Sequence, residues 1–307
     1  MFSEQVGHSI VAARRTMTRC SSISAIASSP ARGRSREARF GGGLYVLGVL
    51  ALAALVAVPA KAATEPKATT EPPLKELLDR VGSEVGKFWD YFPSVTCTEK
   101  ATQTKLGDKG KVLSQQRETY DYLIMLRSHG MDITVDESRV ETAHSQSKKD
   151  ASLLETNGFS LFTLIFHNLY QSHYEFQRLP DDLVNGHRLW AIAFKQVSDD
   201  HPLSVLHVRE QDYPLEWRGK AWIDPESSAV VRIQAGLGDS MADRGVLRLD
   251  ADVTYSEIHF SGSPSYWLPA TADVEAQTKR QHWHNTHTFT GYKRFSVDTD
   301  VKIAPVH

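Results

Sequence analysis

From residue 95 almost to its C-terminus, this 307-residue chain alternates apolar and polar residues with period two, which confines it to antiparallel sheet architectures. Segments at 95–106, 111–127, 131–142, 172–179, 187–197, 204–210, 216–223, 229–236, 246–260, 266–280 and 284–303 each read as a strand. Between them stand Gly107-Asp108-Lys109-Gly110, His129-Gly130, Asn185-Gly186 and Asp224-Pro225-Glu226-Ser227, whose Gly, Asn, Asp and Pro supply the dihedrals of tight reversals. Strands joined by turns this short pair antiparallel. In 187–194, Leu189, Ala191 and Ala193 fall on one face and Trp190, Ile192 and Phe194 on the other, so this strand is expected to be central and covered on both sides.

Two stretches depart from period two. Leu74, Leu77, Leu78, Val81, Val85, Phe88 and Trp89 fall on one face of a helix, with Pro72 and Pro73 at its start and Pro93 at its end. Gly82 and Gly86 lower its intrinsic propensity, so burial of the apolar stripe against a broad partner must hold it. The second stretch, Gly158 to Tyr170, is apolar nearly all round and predicts a short helix with Ser160 as N-cap. Such a helix lies against the sheet, either as core filler or as a ligand-facing lid. No repeat of fixed period is present, which argues against a propeller.

The apolar run from Leu44 to Val58 is preceded by Arg32, Arg34, Arg36 and Arg39 and followed by Ala60-Lys61-Ala62. It is shorter than the ~20 residues that span a bilayer, and the order of basic, apolar and small-residue parts is that of a secretory signal peptide. We therefore expect residues 1–62 to be a signal peptide with an upstream extension, cleaved after Ala62. Residues 63–71 are then a flexible leader, and 72–307 a single domain, periplasmic or secreted and not membrane-spanning. Taking the eight Lys/Arg and two Asp/Glu of residues 1–62 from the 35 and 37 of the whole chain leaves 27 and 35, a formal charge of −8. No basic cluster remains to neutralise a phosphate backbone, so a nucleic-acid partner is not expected. Cys97 is then the one cysteine of the exported part, and its place in Val95-Thr96-Cys97-Thr98-Glu99 reads as a small buried strand residue, not as a nucleophile.

Signatures of catalysis are missing. Gly158-Phe159-Ser160 lacks the closing glycine of a nucleophile elbow, and no His-Glu-x-x-His, phosphate-loop or dinucleotide pattern occurs. The expectation is a non-enzymatic protein without a cofactor. His282 and His284 project from one face of a strand and His287 from the other. Two imidazoles make a metal site only with further donors, so the plainer reading is a solvent-facing pair with Trp283 packed behind it, and no metal is expected. Among the aromatic residues, Trp190, Trp217 and Trp222 on neighbouring strands and Phe159, Phe162 and Phe166 on the apolar helix are the candidates to line a concave side.

Residues Trp217 to Ile233, an apolar strand, Asp224-Pro225 and then a strand bearing Arg232, resemble the strand-turn-strand of periplasmic lipoprotein-sorting proteins, the LolA/LolB-like carriers. The order of export signal, amphipathic helix, hairpins, helical interruption and long meander is similar too. The resemblance implies a mainly β fold: a curved antiparallel half-barrel whose concave face is covered by the N-terminal helix and the central short one. It also implies an apolar cavity for acyl chains, with a lipid or acylated protein as ligand and envelope proteins as further partners. The segment 160–170 would move to release the ligand, hinged at 143–157. The alternative is an envelope scaffold or interaction protein whose core is full and which takes no small ligand.

Overall fold

Alternation of side chains across successive strands leaves one sheet face apolar, and the tertiary structure is organised around covering it. The computed structural model describes residues 72–91, 94–129, 132–142, 156, 158–197, 202–208, 211–262 and 264–294. The expected signal peptide, the leader at 63–71 and all of the expected hinge except Thr156 lie outside the described residues.

The helix forms as its stripe predicts. In α1 (Leu74–Tyr91), Leu77, Val81, Val85, Phe88 and Trp89 are buried, and the Leu77 N–H donates to the Pro73 carbonyl at 3.0 Å. Among the described residues twelve strands follow: β1 (Ser94–Leu106), β2 (Val112–His129), β3 (Asp132–Glu141), β4 (Tyr174–Val184), β5 (His187–Gln196), β6 (Val205–Val208), β7 (Gln211–Pro214), β8 (Trp217–Ile223), β9 (Val230–Leu237), β10 (Val246–Ile258), β11 (Tyr266–Thr278) and β12 (His282–Arg294). Ten of them make one antiparallel sheet in the order β3-β2-β1-β12-β11-β10-β9-β8-β5-β4, open at β3 and β4, while β6 and β7 form a separate hairpin. This is the expected mainly β, half-barrel class with few helices. Asn185 and Gly186 both take positive φ, 52° and 81°, as a two-residue reversal between β4 and β5 requires. The strand β7 was not legible because Gln211-Asp212-Tyr213-Pro214 carries no apolar alternation.

One line of paired residues shows how the inner face is built. Ile192, Ala221, Ile233, Val253, Ala272, His287 and Ala101 are register neighbours from β5 to β1, and all are buried. Small and β-branched side chains fill this row, apart from His287. The strand β5 is next to the edge strand, which corrects its expected central place. The reason is topological. β3 and β4 follow one another in the chain but are opposite edges of the sheet, so the connection between them must cross its face.

The described part of that crossover lies under α1. Its buried element is a 3-10 turn, Leu161–Phe166, not the expected longer helix, and a second 3-10 turn, Gln171–His173, leads from it to β4. Ser160 precedes it without a side-chain capping bond; instead the Thr163 hydroxyl donates to the Ser160 carbonyl at 2.8 Å. Gly82 of α1 faces the same crossover so closely that a Cβ there would stand 2.0 Å from Asn168 Oδ1. Gln171 Nε2 donates to the carbonyls of Leu78 (2.9 Å) and Phe166 (2.7 Å), and Trp89 Nε1 donates to Thr163 Oγ1 at 3.1 Å, which ties α1 and crossover into one cover.

Candidate functional site

The crossover meets the sheet through aromatic rings. Phe162 packs edge-on to Trp217 with centroids 5.2 Å apart, and Phe166 lies 5.4 Å from Phe176 and 6.2 Å from Phe194. Phe159 lies 4.8 Å from the His287 ring and 5.9 Å from Phe289, while its carbonyl accepts from the Tyr255 hydroxyl at 2.9 Å. Trp190 is on the same face at the rim, with the Arg80 guanidinium of α1 at 5.2 Å and Arg178 at 5.8 Å from its ring. Five of the six candidate lining residues are thus brought to the inner face, packed against protein.

Trp222 is the exception. It pairs with Ala191 and Arg232 on the outer face, its ring flanked by Lys220 (4.6 Å) and Arg232 (4.9 Å), and its Nε1 donates to Asp182 Oδ2 at 2.7 Å. The signal was present in the spacing. Trp217 and Trp222 are an odd number of residues apart, and period two sends them to opposite faces. A recess of about 400 Å³ bounded by residues 100–102, 117–119 and Glu141 opens on the sheet, and none of the six candidates lines it.

Beside Phe159 the inner face changes character. Glu99 of β1 and His287 of β12 are 0% and 2% exposed. Arg139 of β3 grips Glu99 with two guanidinium nitrogens, one of them Nη2 at 2.8 Å from Oε1. His287 Nδ1 lies 2.7 Å from Glu99 Oε1, and its Nε2 lies 2.8 Å from the Thr156 hydroxyl, on which Asn285 Nδ2 also converges at 3.4 Å. Arg139 Nη2 further donates to the Thr156 carbonyl at 2.9 Å, and the Gly158 N–H donates to Glu137 Oε2 at 2.8 Å.

Burial opposes charge on every group here, and the partners decide which groups keep it. For Glu99, burial would raise the carboxyl, but the Arg139 charge and the bonds from His287 and Arg139 outweigh it and hold it below the usual range. Burial likewise lowers His287 in spite of Glu99, so the ring is neutral at pH 7; Nδ1 then donates to Glu99, and Nε2 accepts from Thr156. Glu137 is pushed up to about 7, because desolvation exceeds the help it receives from Tyr122, Arg139 and the Gly158 N–H. The Tyr122 hydroxyl is buried beside it, and the two groups support one another. Cys97 is buried in β1 as expected, and desolvation pushes its thiol up to about 12.

Sequence reasoning missed this cluster although its mark was visible. Glu99 follows Val95 and Cys97 at period two, and His287 and Asn285 share a phase with Phe289 and Trp283. Polar residues at apolar phase positions are buried by the pattern and must find partners. His282 and His284 are elsewhere, on the outer face, at 2.6 Å from Glu275 and 2.8 Å from Asp273, with Trp283 fully buried behind them. Among the described residues no three His, Cys, Asp or Glu side chains are grouped to hold a metal ion, and no helix is long and apolar enough to cross a membrane.

No protein-family model and no curated protein matches the chain. Among solved structures, the chain is similar to a domain described as an outer membrane lipoprotein-sorting protein from Vibrio parahaemolyticus, at 10% identity and a TM-score of 0.36 over 74% of this chain and 95% of that one. A DUF1329 family protein from Desulfovibrio piger is similar at 14% identity and a TM-score of 0.37, covering 76% and 96% of the two chains. The Mycobacterium tuberculosis lipoprotein LppX is similar at 12% identity and a TM-score of 0.25, covering 74% and 100%.

Proposed function

We propose that this is a non-enzymatic protein of the cell envelope that binds a lipid or other acyl-bearing ligand on the inner face of its sheet, in the place held by the crossover. The observation that carries this reading is the crossover itself. Phe159 to Phe166 are eight consecutive buried residues, and they cover the inner face without joining the sheet. A strand is held by its ladder of directional bonds; this segment is held mainly by apolar burial, which is non-directional and can be supplied equally by a hydrocarbon chain. Phe162 and Phe166 mark where such a chain would lie, between α1 and the strands bearing Trp217 and Phe194. The signal-peptide pattern of residues 1–62 supports an envelope location.

A second reading, an envelope interaction protein with a full core, is favoured by the complete burial of Leu161–Phe166. One experiment separates the two. The protein, expressed from the full chain and purified from an envelope fraction, is examined by native mass spectrometry, lipid extraction and uptake of a fluorescent acyl probe. Near-stoichiometric acyl species, or saturable uptake, support the carrier reading. A clean protein mass with no uptake overturns it in favour of the interaction protein.

A further inference from the structure

We propose that the buried polar cluster where β1 meets β12 is a head-group site for an uncharged head bearing a carbonyl and a hydroxyl or N–H, and that Thr156 and Gly158 occupy it as a built-in substitute. The inference rests on displacement of the crossover by an acyl chain, as proposed above. Residues 156 and 158 belong to that crossover, so a ligand that displaces it takes four bonds from the cluster, while Glu99 still holds Arg139 and His287. Arg139 Nη2 loses the Thr156 carbonyl, His287 Nε2 and Asn285 Nδ2 lose the Thr156 hydroxyl, and Glu137 Oε2 loses the Gly158 N–H.

Each bond lost from a buried polar group is disfavoured, so a ligand that fills the apolar face alone binds less well than one whose head restores those bonds. The replacements are dictated by what departs: an acceptor for Arg139, a hydroxyl for His287 and Asn285, and a donor for Glu137. The Tyr122 hydroxyl holds Glu137 from the other side, so it sets the position of the carboxyl that a ligand donor would meet. The ring of Phe289 beside His287 continues into the apolar face, where the acyl chain of the same molecule would run in the place that Phe159 now holds.

Charge selects against an anion. The Arg139 guanidinium is already matched by Glu99 in a bidentate pair, and Glu137 stands next to it, so no net positive charge faces an incoming phosphate. An acylglycerol head and the N-acylated end of a peptide share the required uncharged carbonyl chemistry.

The test is displacement of a fluorescent acyl probe from the full-chain protein by hexadecane, 1-monooleoylglycerol, N-oleoylserinamide and 1-oleoyl lysophosphatidic acid. One of the two uncharged heads should displace at a concentration about tenfold or more below the lysophosphatidic acid, the scale of one or two well-made buried hydrogen bonds. Whichever does so names the source. Asn285→Ala and Tyr122→Phe should each shrink that preference by roughly fivefold while displacement by hexadecane stays unchanged. If Asn285→Ala does not fold by circular dichroism, Tyr122→Phe carries the test, since it removes only a hydroxyl. Equal displacement by charged and uncharged heads, or a preference that survives in every folded variant, overturns the head-group site and leaves the apolar binding face standing. Absence of probe binding overturns both.

Discussion

His287 Nδ1 lies 2.7 Å from Glu99 Oε1 across 188 residues of sequence, and this bond joins β12 to β1 inside the sheet's covered face. Glu99 is also the partner of Arg139, so one carboxylate links three strands. Glu99→Gln leaves the guanidinium without its counter-charge. The expected loss is about 3 kcal/mol in urea unfolding, partly regained when Arg139→Gln is added, because no unmatched charge then remains.

The cluster also sets opposite pH dependences. Glu137 has its folded pKa raised from 4.5 to about 7, so the folded state binds the proton more tightly; this stabilisation is full below pH 4.5 and is lost as pH rises to about 7. His287 is lowered from 6.5, so its contribution is present above pH 6.5 and is lost as pH falls through the folded value. Glu137→Gln removes the first effect only. The variant should gain on the wild type from pH 4.5 upward, reaching a plateau of about 3 kcal/mol above pH 7, as read from denaturant midpoints across that range. A difference that stays flat with pH would rule out a raised Glu137.

Phe162 fills the space over Trp217, so Phe162→Ala should cost about 3–5 kcal/mol by loss of burial and creation of a void. Thermal and urea unfolding measure the loss. In the same variant, an acyl ligand should recover part of it, seen as a concentration-dependent rise in melting temperature.

Gly219 of β8 is required by close approach. A Cβ there would stand 1.9 Å from the Gln234 carbonyl oxygen and 2.8 Å from Phe194 Cζ. Because the first of these atoms is backbone, Gly219→Ala should destabilise by about 2 kcal/mol or more, against the small gain that Gly→Ala gives at open positions. The shift of the urea midpoint is the measurement.

Cys97 should be inert. With its thiol buried and pushed up to about 12, it should resist a maleimide at pH 7 in the native protein and react stoichiometrically once unfolded. Rapid native labelling would show that β1 opens readily.

Strand identity, the α1 stripe and the two-faced layout of His282, Trp283, His284 and His287 were legible because each follows from side-chain period within a few residues. The place of Trp222 was legible on the same ground, through its odd spacing from Trp217, although grouping the tryptophans by strand neighbourhood obscured it. Other features depended on which strands meet. Nothing local places β12 beside β1 or puts β3 and β4 at opposite edges, since strand order is decided by long-range pairing. That order carries the crossover over the inner face, where the segment expected as a helix forms a 3-10 turn under α1. It also brings Glu99, Arg139, Thr156 and His287 together. The sequence by itself determined that Glu99 and His287 point inward, through their phase in the strands; only the tertiary structure decided that Arg139 and Thr156 meet them there, because a buried charge is tolerated solely where its partner is delivered by another part of the chain.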